Sequence, residues 1–268
     1  MQQYEPPQKT MEIDVPVQQP HKYRVNKNKL FVAIGLLCFI AAASAIAIHL
    51  VSGKPVNVAA TAVENTPDAT MEAEKSAVLT GKVIVVDAGH GGFDPGTIGV
   101  QDSHEDELNL SVAQFLKTEL ESYGAQVIMT RSDDDALAET KEADMAERRR
   151  IITESDSDIV VSIHMNSFSD SSVSGPLVIF MQGSTKGEKL AKGIQQSLID
   201  ILDPPNENSA RSGDLYILRS GWQPCVIVEC GYLSNEKEEQ QLLQSDYQQK
   251  VASAICDGVS QYFSSDNE

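Results

Sequence analysis

The hydrophobic pattern divides the chain into an unpatterned head, one long apolar run, and an alternation of strand-like and helix-like periods. Met1–Lys29 is polar, rich in Gln, Pro and Lys, and has neither period, so it reads as a disordered segment. Leu30–Val51 is 22 residues without one Asp, Glu, Lys or Arg. At ~1.5 Å per residue such a helix is about 33 Å long, enough to cross a ~30 Å hydrocarbon core. Lys22, Arg24, Lys27 and Lys29 precede it. The expected transmembrane anchor therefore keeps its N-terminus in the cytoplasm and sends the remainder outside. Ala43-Ser44-Ala45 offers a cleavage site, and a signal peptide is the alternative, although head and apolar run are both long for one. Ser52–Thr80, mainly Ala, Thr, Glu and Pro, has no apolar period and reads as a flexible linker.

Beyond residue 80 the pattern changes. Lys82–Ala88 is a continuous apolar, β-branched run, as expected of a strand covered on both faces. Leu108, Val112, Leu116 and Leu120 then recur at helical spacing over Glu105–Tyr123, ending before Gly124. Val127–Thr130, Ile159–Ile163, Leu177–Met181, Leu215–Leu218 and Val226–Val228 are predicted strands. Met145, Ile151 and Ile152 mark a helix, Lys189–Leu202 is another, and Tyr247, Val251, Ile255, Val259 and Tyr262 stripe a terminal one. Repeated strand–helix–strand units predict one α/β domain over residues 81–268, with a single mostly parallel (mixed) sheet and helices on both faces. Ligand groups in such sheets gather at the C-terminal ends of the strands.

Charge narrows the partners. The 268 residues carry 21 Lys+Arg against 39 Asp+Glu, a net −18 with a pI near 4.6, so no nucleic acid is expected as a ligand. Four cysteines are too few for a disulfide scaffold. Cys225 and Cys230 are five apart on a predicted strand and point to opposite faces, and Cys256 falls on the terminal helix, so no bridge is expected among the three.

Four side chains fall where the strand-end rule points. His90 lies in Gly89-His90-Gly91-Gly92-Phe93-Asp94-Pro95-Gly96, just past the first strand; Glu105 opens the first helix; His164 closes the third strand; Glu229 follows Val226-Ile227-Val228. Their separations are 15, 59 and 65 residues, so no local metal motif is present. Two imidazoles and one carboxylate make a catalytic zinc set with an open fourth position, and a second carboxylate can move protons. Each also has a plainer reading. His90 can be a surface histidine, His164 a buried hydrogen-bonded one, and Glu105 a favourable charge at a helix N-terminus. Glu229 is the hardest to explain that way, because a carboxylate at a buried strand end costs several kcal/mol unless paired or used. His104 is a rival ligand, and Asp87 either orients His90 through its second ring nitrogen or simply ends its strand.

V-V-D-A-G-H-G-G-F-D-P-G, E-D-E-L-N-L, M-T-R, V-S-I-H-M-N-S and V-I-V-E-C-G-Y-L-S-N occur in that order between Lys82 and Phe263. This series resembles the zinc-dependent N-acetylmuramoyl-L-alanine amidases of the amidase-3 family. The resemblance implies a phosphorylase/hydrolase-like sheet, one Zn2+ held by His90, Glu105 and His164, and Glu229 as the catalytic glutamate. It also implies peptidoglycan as substrate, cut at the amide between N-acetylmuramic acid and L-alanine. Asp106-Glu107 departs from the Lys-Asp that often follows the ligand glutamate. A zinc peptidase acting on stem peptides and a non-catalytic wall-binding module are the alternatives. One small domain behind an anchor resembles sporulation and germination amidases, an analogy of layout alone. A protein activator is not legible in the chain. The 64 residues between His164 and Glu229 are filled by strands and one long helix, with Pro204-Pro205-Asn206 reading as a turn, so no self-blocking helix is expected.

Overall fold

The structure, a computed structural model, describes residues 78–265. The expected disordered head, the anchor Leu30–Val51 and nearly all of the linker lie outside the described residues. Among the described residues, no helix is long and apolar enough to cross a membrane.

In chain order the elements are β1 (Val83–Ala88), α1 (Glu105–Ser122), β2 (Gln126–Met129), α2 (Lys141–Glu154), β3 (Ile159–Asn166), β4 (Leu177–Met181), α3 (Thr185–Leu202), β5 (Arg211–Gly213), β6 (Cys225–Tyr232), α4 (Glu236–Leu242) and α5 (Ser245–Ser264). They build one six-stranded sheet in the order β2-β1-β3-β6-β4-β5. β1, β2, β3 and β6 run parallel, while β4 lies antiparallel to β6 and carries β5 parallel to itself. The single mixed sheet is as expected.

Strand alternation sorts the core into two layers. Val86, Val161, Val226 and Val228 pack with Leu116 and Leu120 of α1, Leu190 and Ile194 of α3, and Val251 and Ile255 of α5. Their strand neighbours Val85, Val160 and Ile227 point the other way, to Ile152 of α2 and to Ile217 and Leu218. Three helices thus cover one face. The second face has only α2 and a 3₁₀ turn, Ile217–Arg219, and the thinner cover leaves room for a cavity there. Each fully buried Leu, Ile or Val contributes ~1.5–3 kcal/mol of transfer free energy.

The predicted strand Leu215–Leu218 is instead the approach to that 3₁₀ turn, and the strand is Arg211–Gly213. Ile217 and Leu218 are consecutive yet both buried against the same layer. Strand alternation would have sent one of them to the opposite side. Glu236–Leu242 is a helix the apolar pattern does not show, because its sequence EKEEQQL is polar and its start is set by Asn235, whose side chain accepts from the N–H groups of Lys237 and Glu238.

Cys225 lies in one core layer and Cys230 in the other, and Cys256 is buried on α5; all three are reduced. Burial pushes the Cys225 and Cys230 thiols well up. Thiol-specific alkylation of the native chain, followed by peptide mapping, should leave these three unlabelled. Denaturant without reductant should expose all three, and a requirement for reductant would reveal a bridge.

Candidate active site

The site begins where β1 releases the chain. His90 is left-handed, with φ 61°, which strains a residue that has a Cβ. Its backbone is held by two buried arginines. Arg148 donates from Nη1 to Ala88 O (2.6 Å) and from Nη2 to His90 O (2.5 Å). Arg131 donates from Nε to Ala88 O (3.0 Å) and from Nη2 to Gly89 O (2.9 Å). Asp87 balances the charge: its carboxylate accepts from Arg148 Nη1 (2.8 Å), Thr130 Oγ1 (2.8 Å) and Ser162 Oγ (2.5 Å). Asp144 takes Arg148 Nε at 2.7 Å.

Asp87 is therefore not the partner of His90. That role falls to Asp94, whose Oδ2 lies 3.0 Å from His90 Nδ1 and 3.0 Å from Lys141 Nζ. Asp87 is already saturated by three donors, whereas the glycine-rich turn folds Asp94 back over the ring. Asp94, Asp144, Arg131 and Arg148 were not singled out as functional. Arg148 sits in an Arg148-Arg149-Arg150 run, and only the four-residue spacing of Asp144, Arg148 and Ile152, the buried residues of α2, distinguishes it.

β3 and β6 pair in register, His164 opposite Glu229, so the two side chains stand side by side on the same face. Glu105, at the start of α1, completes the group. Its Oε2 accepts from Thr97 N–H (2.8 Å), and its Oε1 lies 3.3 Å from His90 Nε2 and 2.9 Å from His164 Nδ1. The donor atoms of His90, Glu105 and His164 all lie within 4.8 Å of one another. Zinc bonds of ~2.0–2.1 Å set tetrahedral ligands ~3.3 Å apart, so the donor set and its spacing fit that metal. Two glycines make the space: a Cβ on Gly89 would stand 2.2 Å from the His164 ring, and one on Gly96 (φ +67°) 2.6 Å from Glu105 Oε2. His104 is exposed and takes no part in the cluster.

The electrostatics agree with the geometry. Burial pushes the Glu105 carboxyl up, but the imidazoles of His164 and His90 overcome it and hold the group well below the usual carboxylate range. Burial lowers the His90 imidazole, yet Glu105 and Asp94 together raise it above its ordinary value. Three groups converging with this polarity are arranged for one cation. Glu229 differs. Burial pushes its carboxyl up, with Glu105 adding and His164 opposing, and its Oε2 is shut from solvent with no hydrogen-bond partner. One Glu229 oxygen thus stands unpaired beside the three-residue cluster.

A cavity of about 310 Å³ opens against His90, His164 and Glu229. From the interval between His164 and Glu229, only Leu215, Tyr216, Ile217 and Ile227 line it. The connector after α3 is tied elsewhere, with Asn208 Nδ2 donating to the carbonyls of Ser174, Gly175 and Pro176. No helix in that interval covers the site.

Residues 84–261 match the family described as N-acetylmuramoyl-L-alanine amidase. The chain belongs to that family. It is 34% identical over 193 residues to the germination-specific N-acetylmuramoyl-L-alanine amidase of Bacillus subtilis, covering 69% of this chain and 81% of that protein. The CwlD amidase of Clostridioides difficile, solved in complex with the GerS lipoprotein, superposes with a TM-score of 0.66 at 35% identity, covering 69% of this chain and 99% of that one. The catalytic domain of the CwlV amidase of Bacillus (Paenibacillus) polymyxa gives 0.62 at 30% identity, over 68% and 98%. The four groups singled out in the amidase sequence meet in one site of this fold.

Gly89→Ala isolates the metal cradle from the fold. The three atoms nearest the added Cβ all belong to the His164 ring, so that ring is what it displaces. The melting temperature should stay within a few degrees of wild type while zinc content of the purified protein falls severalfold, measured by calorimetry and elemental analysis on one sample.

Proposed function

We propose that this chain is a membrane-tethered zinc hydrolase of peptidoglycan that cuts the amide between N-acetylmuramic acid and L-alanine, with Glu229 as its proton shuttle. The amidase assignment rests on the family. The observation that carries the mechanism is the three-donor cluster of His90, Glu105 and His164, closed on one side by the partnerless oxygen of Glu229.

His90, Glu105 and His164 would hold the ion. Zinc supplies Lewis acidity there, polarising an amide carbonyl and acidifying water. The chain supplies the rest. Glu229, fixed by its register with His164, takes a proton on its carboxylate from the attacking water and delivers it to the leaving L-alanine nitrogen, which cannot depart as an anion. Burial favours the protonated form of Glu229 and so helps the uptake half of this cycle. Arg148 and Arg131 keep the His90 backbone in its strained position throughout.

The charge asymmetry about Leu30–Val51 supports an uncleaved anchor with the catalytic domain outside the membrane. An acidic domain is not drawn to anionic lipids or wall polymers, so the tether of 52–80 supplies proximity. Protease added to protoplasts should remove the C-terminal domain, and full protection in sealed cells would contradict this topology. The complex of the C. difficile relative with a lipoprotein supports looking for a protein partner on the same side of the membrane.

Mass spectrometry of muropeptides after digestion should show free L-alanine amino termini and peptide-free muramic acid. Cuts within the stem would point to a peptidase, and no cut to a binding module. Two variants separate metal from shuttle. His164→Ala should lose zinc and activity together, because two ligands hold the ion far more weakly than three. Glu229→Gln should keep zinc and melt at or above the wild-type temperature, since no charge is then buried. Its turnover should fall by ~10²–10⁴, the usual worth of a positioned acid–base group. Loss of zinc in Glu229→Gln would make it a ligand.

A further inference from the structure

Glu239 of α4 is 0% exposed, and among the described residues no ion pair reaches it. A buried carboxylate without a cation costs several kcal/mol unless hydrogen bonds replace its water. The bonds that do so all come from one short loop. Gln101 N–H donates to Oε1 at 3.0 Å and to Oε2 at 2.9 Å, Ser103 Oγ donates to Oε1 at 2.5 Å, and Ser103 N–H reaches the same oxygen at 3.4 Å. The loop closes so tightly that a Cβ on Gly99 would stand 2.0 Å from Oε1.

That loop is a hairpin leading into the cation cluster. Ile98 bridges His104, Gly99 N–H donates to Ser103 O (2.8 Å), and Glu105 N–H donates to Thr97 O (3.0 Å). At its base, Thr97 N–H donates to Glu105 Oε2 (2.8 Å), which leaves Oε1 to face the imidazoles of His90 and His164. Glu239 thus grips the tip of the hairpin whose base grips Glu105. α4 follows β6 directly, so this grip comes from the same strand–helix unit that carries Glu229. The neighbouring Glu238 looks elsewhere. Its carboxylate accepts from Gly175 N–H (2.8 Å) and Tyr232 N–H (2.9 Å), neither of which belongs to the hairpin. An apolar side chain could fill the place of Glu239 without burying a charge. What it could not supply is a fixed direction for the hairpin's N–H and O–H groups.

We infer that Glu239 is a positioning residue for the metal site: by fixing the hairpin of residues 97–105 it sets which Glu105 oxygen meets the cation, and where that oxygen stands relative to Glu229. It touches none of the three metal-binding side chains and acts through the hairpin alone. The inference rests on the reading of His90, Glu105 and His164 as zinc ligands and extends that site to a helix outside it.

The test reads zinc apart from activity. The zinc-loaded full chain is titrated with a chromogenic chelator, and the metal-free chain is melted in parallel. Glu239→Gln keeps the volume but turns an NH2 group towards the hairpin's donors. It should bind zinc about 10- to 100-fold more weakly than wild type, the usual effect of losing a group that orients a ligand. Glu238→Gln alters a second buried carboxylate of the same helix. It should lower the melting temperature of the metal-free chain comparably, yet keep zinc affinity within about twofold of wild type. With Co2+ at saturation, the visible absorption of Glu239→Gln should change in position or intensity, and that of Glu238→Gln should match wild type. Ser103→Ala is the milder change, removing only the shortest bond to Glu239. It should weaken zinc by about two- to fivefold, and it decides the matter if Glu239→Gln does not fold. Unchanged zinc affinity in Glu239→Gln, or in Ser103→Ala where the former does not fold, would overturn the inference. So would an equal loss of zinc in Glu238→Gln, which would make both glutamates supports of the fold alone. A wild-type chain that binds no zinc is a different failure: it removes the metal reading itself, and the inference with it.

Discussion

Arg148 is 2% exposed and Asp87 is 1% exposed, and their ion pair is the contact on which the site depends. Removing either partner of such a buried pair costs ~3–5 kcal/mol, because the other is left charged and unsolvated. Here the pair does more than satisfy itself. With Asp87 and Asp144 neutralising it, the Arg148 fork can spend its remaining donors on Ala88 O and His90 O. Those bonds hold the His90 imidazole in a backbone region that L-residues avoid. Arg131 adds a second clasp on the same turn and reaches to Asp106 O, 2.7 Å away, so it joins the His90 loop to the first turn of α1 and hence to Glu105.

The other half of the site needs no such bracing. His164 and Glu229 belong to paired parallel strands whose register is set by buried Val and Ile on either side, and a slip of one residue in either strand would send its side chain into the helix-covered core. The pairing shifts between His164 and Asn166, just beyond the pair, where β3 ends and the chain turns out over the surface. One edge of the centre is thus fixed by sheet geometry and the other by buried charge.

Much of this was legible in the sequence because it rests on period and on residue type. The runs at Val83–Ala88, Ile159–Ile163 and Leu177–Met181 are apolar and β-branched, so their strands follow from pattern alone. His90, Glu105, His164 and Glu229 stand out because polar groups at the ends of apolar strands have to be paired or used. What pattern could not supply was pairing. Asp87 and Asp94 are both aspartates within four residues of His90, and only the folded turn shows which one reaches the ring. The α4 helix is polar on most of its surface, and Glu239 within it is buried because it accepts from Gln101 N–H and from Ser103, partners 138 and 136 residues away in sequence. Ile217 and Leu218 imitate a strand because adjacent apolar residues carry no mark of the turn that buries both.

The four grouped side chains come from the loop after β1, the start of α1, β3 and β6, and the stretch from His90 to Glu229 is 140 residues long (229 minus 90, plus 1). No contiguous fragment shorter than that contains the centre, and pairings of such long sequence separation are slow to form. A partly folded or truncated chain therefore lacks at least one of the four. Hydrolytic competence therefore arrives only with the finished sheet.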